Sequence, residues 1–109
     1  MAVTTNTAVP FMASVTATTT AQTVFALLSV IRTQLQHKCQ FIQIQLDTTA
    51  AGSLYIGDSD VASNNCGANL SANQANQQFA FDSNLIVLDN IYLRASAGTQ
   101  QVNIIVVTR

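Results

Sequence analysis

The feature that most constrains this chain is a change of hydrophobic period. From Cys39 onward apolar residues recur at every second position, whereas one stretch before it carries them at helical spacing. Ile42, Ile44 and Leu46 alternate with Phe41, Gln43 and Gln45, and Leu54 and Ile56 resume the pattern after a turn at 47–52. Phe79 and Phe81 alternate with Ala80 and Asp82, Ser83 and Asn84 interrupt, and Leu85 to Leu88 is a short apolar run. Ile91, Leu93 and Ala95 face one way while Tyr92, Arg94 and Ser96 face the other. Successive side chains of a strand point to opposite faces, so this alternation specifies half-buried strands. Ala97, Gly98 and Thr99 predict a tight hairpin between the last two. The closing run, Val102 to Val107, is apolar on both faces over its second half, which calls for a helix or another subunit across its outer side. Six to eight short strands with turn signals roughly every 8–12 residues predict a mainly β fold, an antiparallel, jelly-roll-like β-sandwich.

The segment before Cys39 divides in two. Residues 1–17 hold no charged side chain and many threonines, and read as an extended Thr-rich arm. The Val9, Pro10, Phe11, Met12 patch followed by Ala13, Val15 and Ala17 can form a strand, with Pro10 at its start or on an edge where a missing N–H is tolerated. Val24, Leu27, Leu28, Ile31 and Leu35 then make a stripe at i, i+3, i+4, i+7 and i+11. That stripe predicts an amphipathic helix over residues 21–35, with Thr19 and Gln22 as a capping box and Arg32, His37 and Lys38 near its C-terminal end. Residues 18–109 read as one domain, as a length of 109 residues allows.

Charge narrows the function. Only 8% of the residues are charged against 49% apolar, and glutamate is absent. Four basic residues and a net charge of −1 cannot build the Lys/Arg patch that nucleic acid or an anionic membrane requires. The apolar content excludes disorder for most of the chain, and no continuous apolar run is long enough to span a bilayer. The N-terminus lacks the positive region of a secretory signal. Cys39 and Cys66 read as reduced thiols of a reducing compartment, at least one of them buried as a small hydrophobe.

No reactive constellation emerges. His37 is the single histidine; the nearest acid in sequence, Asp47, lies a whole strand away, and Cys39 beside it matches no protease pattern, so His37 reads as a helix-terminal surface residue. Asp58, Ser59 and Asp60 begin like a calcium loop, but Val61 and Ala62 stand where further ligands belong, and a turn with Asp side chains on backbone N–H groups accounts for them. One histidine and two distant cysteines do not make a zinc site, and four dispersed glycines do not make a phosphate loop. Tyr55, Tyr92 and Phe41 point from the non-core faces of their strands, toward an interface or an opposing sheet. Catalytic, cofactor and metal residues are therefore expected to be none. A surface this poor in charge suits a protein largely covered by neighbours, since a buried interfacial charge needs a paired partner.

Several runs also carry a resemblance. Gly52 through Tyr55, Ile56, Gly57, Asp58 and Asp60 to Val61, then Gly67 to Gln74, Phe79 to Phe81, and Ile91 through Tyr92, Arg94 and Gly98 to Val102 resemble small virion proteins of tailed bacteriophages. The similarity covers roughly residues 39–107 and lies in strands and turns; Asn73 to Gln78 replaces a shorter glycine-containing turn. The resemblance implies a non-enzymatic virion structural protein with a compact β-sandwich. Its expected role is a capsid decoration (cement) protein, made in the host cytoplasm and placed on the capsid surface. The expected partners are the major capsid protein and copies of itself, as dimer or trimer, with no small-molecule substrate. Val9, Phe11 and Val15 of the arm, together with Tyr92, Ile105 and Val107, are the expected interface residues. Two other classes compete: a tail or adhesin-tip module binding a host glycan through Tyr55, Asp58, Asp60 and Asn64, and a small hydrolase using His37.

Overall fold

The computed structural model describes residues 9–32, 35–47, 52–71 and 78–108. Among them eight strands make two four-stranded antiparallel sheets: β1 (Val9–Ala17), β2 (Gln22–Thr23), β3 (Lys38–Leu46), β4 (Leu54–Gly57), β5 (Ala68–Leu70), β6 (Gln78–Val87), β7 (Tyr92–Ala95) and β8 (Gln100–Thr108). The first sheet has the order β1-β8-β3-β6 and the second β2-β7-β4-β5. The pairings nest: β1 with β8, β2 with β7, β3 with β6 and β4 with β5. The chain is thus one long two-stranded ribbon, doubled back between β4 and β5 and then wound, with β3–β8 and β4–β7 contacts joining its turns.

The period-two residues are what this winding buries. Ile42, Ile44 and Leu46 of β3, Val102, Ile104 and Val106 of β8, and Val15 and Ala17 of β1 enter one core cluster. Leu54, Ile56, Leu70, Leu93 and Ala95 of the second sheet enter the same cluster. A fully buried Leu, Ile or Val contributes about 1.5–3 kcal/mol each, so this shared cluster dominates the stability. The stretch read as an arm joins it from residue 9 onward: Val9–Ala17 is an edge strand paired along its whole length with β8 of the same chain. Residues 1–8 lie outside the described residues.

Three expectations need correction. The helix predicted over residues 21–35 is the six-residue α1 (Val24–Ser29). Thr23 caps it, accepting from the Ala26 N–H at 3.0 Å, so Thr19 and Gln22 form no capping box; Gln22 and Thr23 pair with β7 instead. Val24 and Leu28 are buried as the stripe required, but Ile31 is 51% exposed and lies beyond the helix. With no charged partners along its outer face and only two residues sealed, this segment lacks the burial that sustains a longer helix. The turn at Ala97, Gly98 and Thr99 does not make a hairpin: β7 and β8 belong to different sheets, and the turn carries the chain across, with Gly98 at φ +56°. Ser83 and Asn84 do not end a strand either. They sit in a bulge of β6, where three residues (83–85) between Asp82 and Ile86 stand opposite the single Gln40 of β3.

One buried polar residue fastens the sheet crossing. Gln100 is 5% exposed; its Oε1 accepts from the Gly52 N–H at 3.1 Å and its Nε2 donates to the Ala97 carbonyl at 2.9 Å. Beside it the Ser53 N–H donates to Ser96 Oγ at 2.8 Å and the Ser96 N–H to the Ser53 carbonyl at 2.9 Å. Gly52 is required here, since a Cβ would lie 2.7 Å from both Gln100 Nε2 and Ser96 Oγ. Gln100→Leu keeps the volume but leaves the two backbone groups without their partner. It is expected to cost about 1–3 kcal/mol, read as a lower midpoint in denaturant unfolding.

Candidate functional site

The antiparallel register fixes which side chains share the outer face of the first sheet. Met12 of β1 is opposite Ile105 of β8, which is opposite Gln43 of β3; Val107 of β8 is opposite Phe41 of β3. These make an apolar end of the face, with Met12 68% exposed and Ile105, Val107 and Phe41 half-buried. Toward the other end the rows turn polar: Ser14, Asn103 and Gln45, then Thr16 and Gln101. Ser14 Oγ donates to Asn103 Oδ1 at 2.6 Å, and Thr16 Oγ1 donates to Gln101 Oε1 at 3.3 Å. Asp82 of β6, exposed opposite Phe41, ends the Val107 row with a charge at the rim; the other residues of these rows are uncharged. Among the described residues no helix lies across this face, and none covers the apolar outer side of β8.

The outer face of the second sheet is different, because the chain covers part of it. Val61 is 2% exposed yet stands apart from the core cluster. It packs on Gly57, where an added Cβ would meet Val61 Cγ2 at 3.1 Å, and Arg94 Nη1 donates to its carbonyl at 3.2 Å. The loop that carries Val61 is pinned by its own polar groups. Asp58 Oδ1 accepts from the Asp60 N–H at 2.9 Å, Asn65 Nδ2 donates to the Asp60 carbonyl at 3.1 Å, and Ala62 and Asn65 form a backbone bridge. The Asp58 carboxylate is therefore engaged in its own turn.

The expected interface residues separate on this framework. Ile105 and Val107 share the open face of the first sheet, whereas Tyr92 lies on the outer side of the second, opposite Gly57 and Thr23. Val15 is 5% exposed in the core, and Phe11 packs against the core beneath the Arg32 guanidinium, 5.0 Å from its ring. Val9 pairs through its backbone with Thr108, and its side chain lies outside the described residues. Met12 is the residue that sequence reasoning missed. It is two places from Ser14 on the same face of its strand, but its contact with Ile105 depends on a register that pattern alone does not supply.

A second cluster gathers just before the start of β3. His37 Nδ1 faces both carboxylate oxygens of Asp89 at 3.0 and 2.9 Å, and its ring stacks on Phe25 of α1 at 3.9 Å. Asp47, the nearest acid in sequence, is a whole strand away; Asp89 comes instead from the 3-10 turn that follows β6, because Lys38 pairs with Val87 and the residues just beyond them are adjacent. Both side chains are about half exposed, at 58% and 46%, so the ion pair is worth little in stability and serves to tie α1 to the β6–β7 connection. Catalysis would need a nucleophile beside it. Cys39, two residues on, is buried in the core, and burial pushes its thiol up from the ordinary value, away from the reactive thiolate. Among the described residues no group of three or more His, Cys, Asp or Glu gathers, and no helix is long and apolar enough to cross a membrane.

No family profile, curated protein or solved structure matches the chain.

The two thiols give a check on this geometry. Cys66 is half-exposed and Cys39 buried, so thiol labelling of the native protein near pH 8 is expected to be biphasic, Cys66 reacting roughly tenfold or more faster. A raised Cys39 thiol also lowers stability at alkaline pH, since the unfolded chain releases that proton first. The Cys39 contribution should therefore be constant well below pH 9.0, the thiol's ordinary value, and be lost as pH rises above it, so the alkaline fall in stability is shallower in Cys39→Ala. Equal labelling rates would place Cys39 outside the core.

Proposed function

We propose that the chain is a non-enzymatic structural protein of a bacteriophage particle, a decoration protein that docks on the major capsid protein at the capsid surface. The observation that carries this reading is the charge-poor outer face of the first sheet, with Met12, Ile105, Val107 and Phe41 at its apolar end and Asp82 as the charge at its rim. A surface of this kind loses little by desolvation when a partner seals it, because few ions have to be stripped of water. The apolar end supplies burial, and the Ser14, Asn103, Gln45 row supplies neutral hydrogen-bonding groups for a rim.

The fold we assign is a jelly-roll sandwich. The nested pairing and the orders β1-β8-β3-β6 and β2-β7-β4-β5 are those of a ribbon rolled into two facing sheets, and the core cluster shared by both sheets fits that arrangement. Jelly rolls recur in capsid and lectin domains, so the fold favours the particle reading by analogy and leaves the site to decide between them. The glycan-binding alternative would use Tyr55, Asp58, Asp60 and Asn64. The Asp58 carboxylate is held by its own turn, and the covering loop packs down through Val61, which favours the sheet face instead.

The test is co-sedimentation of purified protein with empty capsids of the parent phage. Wild type is expected to bind, and Ile105→Lys on the open face is expected to weaken binding roughly tenfold or more while leaving the unfolding midpoint nearly unchanged. Tight binding by Ile105→Lys would exclude this face, and absence of binding by wild type would end the decoration reading.

A further inference from the structure

We infer that the free edge of β1 is a self-association site, at which a second copy adds its own β1 antiparallel and closes a symmetric dimer. The sheet edges are unequal. In the second sheet the edge strands β2 and β5 are two and three residues long. At the far edge of the first sheet β6 is broken by its bulge and carries the exposed Asp82. Short strands, bulges and charges are the devices by which monomeric proteins blunt their edges. β1 has none of them: it runs nine residues in unbroken register with β8, has no charged residue, and confines its proline to position 10.

The side chains around this edge point the same way. Among the described residues the exposed large hydrophobics are Met12 at 68%, Val30 at 83% and Ile31 at 51%, and all three flank β1. Val30 and Ile31, with Ala26 and Leu27 of the α1 region, line a groove of about 310 Å³ whose other wall is Ser14, Val15 and Thr16. Met12 shares the outer face of β1 with Ser14 and Thr16. A strand hydrogen-bonded to β1 would meet apolar side chains from Met12 on that face and from Val30 and Ile31 across the groove, which favours strand addition.

The occupant that fits is β1 itself. A twofold axis brings a strand against its own sequence, so a charge near the axis would meet its like; β1 and the groove lining carry none, and the adjacent Arg32 lies over Phe11, three residues from Ser14. The strand also has the needed length, giving about eight backbone hydrogen bonds across the pair. An axis normal to the sheet near Ser14 would place Met12 of each copy opposite Thr16 of the other. It also leaves α1 of both copies on one side, with Val30 and Ile31 along the seam. Such an isologous contact closes at two copies. Its seam at Val30 and Ile31 lies off the sheet's outer face, so Val30→Lys tests it apart from capsid docking.

Sedimentation equilibrium of the full chain over a roughly hundredfold concentration range tests this. Wild type is expected to pass from monomer to dimer and no further. Ser14→Lys sets two ammonium groups opposite each other, and Val30→Lys puts a charge into the seam at an already exposed position; each should weaken the dimer by roughly tenfold or more. Thermal unfolding of Val30→Lys should match wild type, so it decides the matter even if Ser14→Lys is unstable. A wild type that stays monomeric, a dimer indifferent to Val30→Lys, or an open series of larger species would each overturn the proposal.

Discussion

Strand β8 is hydrogen-bonded on both sides, to β1 across nine residue pairs and to β3 across six, and its two faces do different work. Val102, Ile104 and Val106 point into the cluster that both sheets share, while Ile105 and Val107 lie on the outside. Removing β8 would leave β1 without a partner and β3 with one, and it would take three fully buried side chains out of the core. The rest of the first sheet is arranged around this strand. That it is apolar on both faces is therefore a structural demand on one side and, in the function proposed above, the docking surface on the other.

Much of this was readable in the chain. The alternation in 41–46, 54–56 and 92–95 reports side-chain direction, a local property of extended backbone, and each of those faces lies where the pattern put it. What the pattern could not carry was pairing. The turn around Gly98 has the residues of a hairpin, yet the strands it joins enter different sheets, because β8 finds more partners beside β1 and β3. The helix was overextended for a related reason. Five apolar residues at helical spacing describe a possible face, but within α1 only Val24 and Leu28 are fully buried, Leu27 packs at the margin of the core, and Leu35 reaches the cluster from beyond the helix. Asp89 was invisible as a partner of His37 because strand pairing, not sequence distance, brings the two together. At the candidate site Ile105 and Val107 were legible from their own strand, whereas Met12 and its contact with Ile105 were not.

Scarcity of charge shapes both the interior and the exterior. Inside, the buried Gln100 amide performs the fastening that an ion pair could not perform without losing its hydration, and both ends of the amide are satisfied. Outside, neutral pairs such as Ser14 with Asn103 replace the Lys and Asp rows usual on an exposed sheet. The loop over Gly57 follows the same economy, using the Val61 side chain and a single guanidinium contact to seal one face of the second sheet. The open face of the first sheet and the bare edge of β1 are the places where such sealing is not supplied from within.

The nesting of the strands has a further consequence for how the molecule is made. Val9 is register partner to Thr108, so β1 gains its partner only once the whole of β8 has been made. The β4–β5 pair closes over a short stretch of chain and can form early, whereas the β1–β8 ladder closes over the longest. A topology dominated by such distant pairings folds more slowly than one built from neighbouring hairpins.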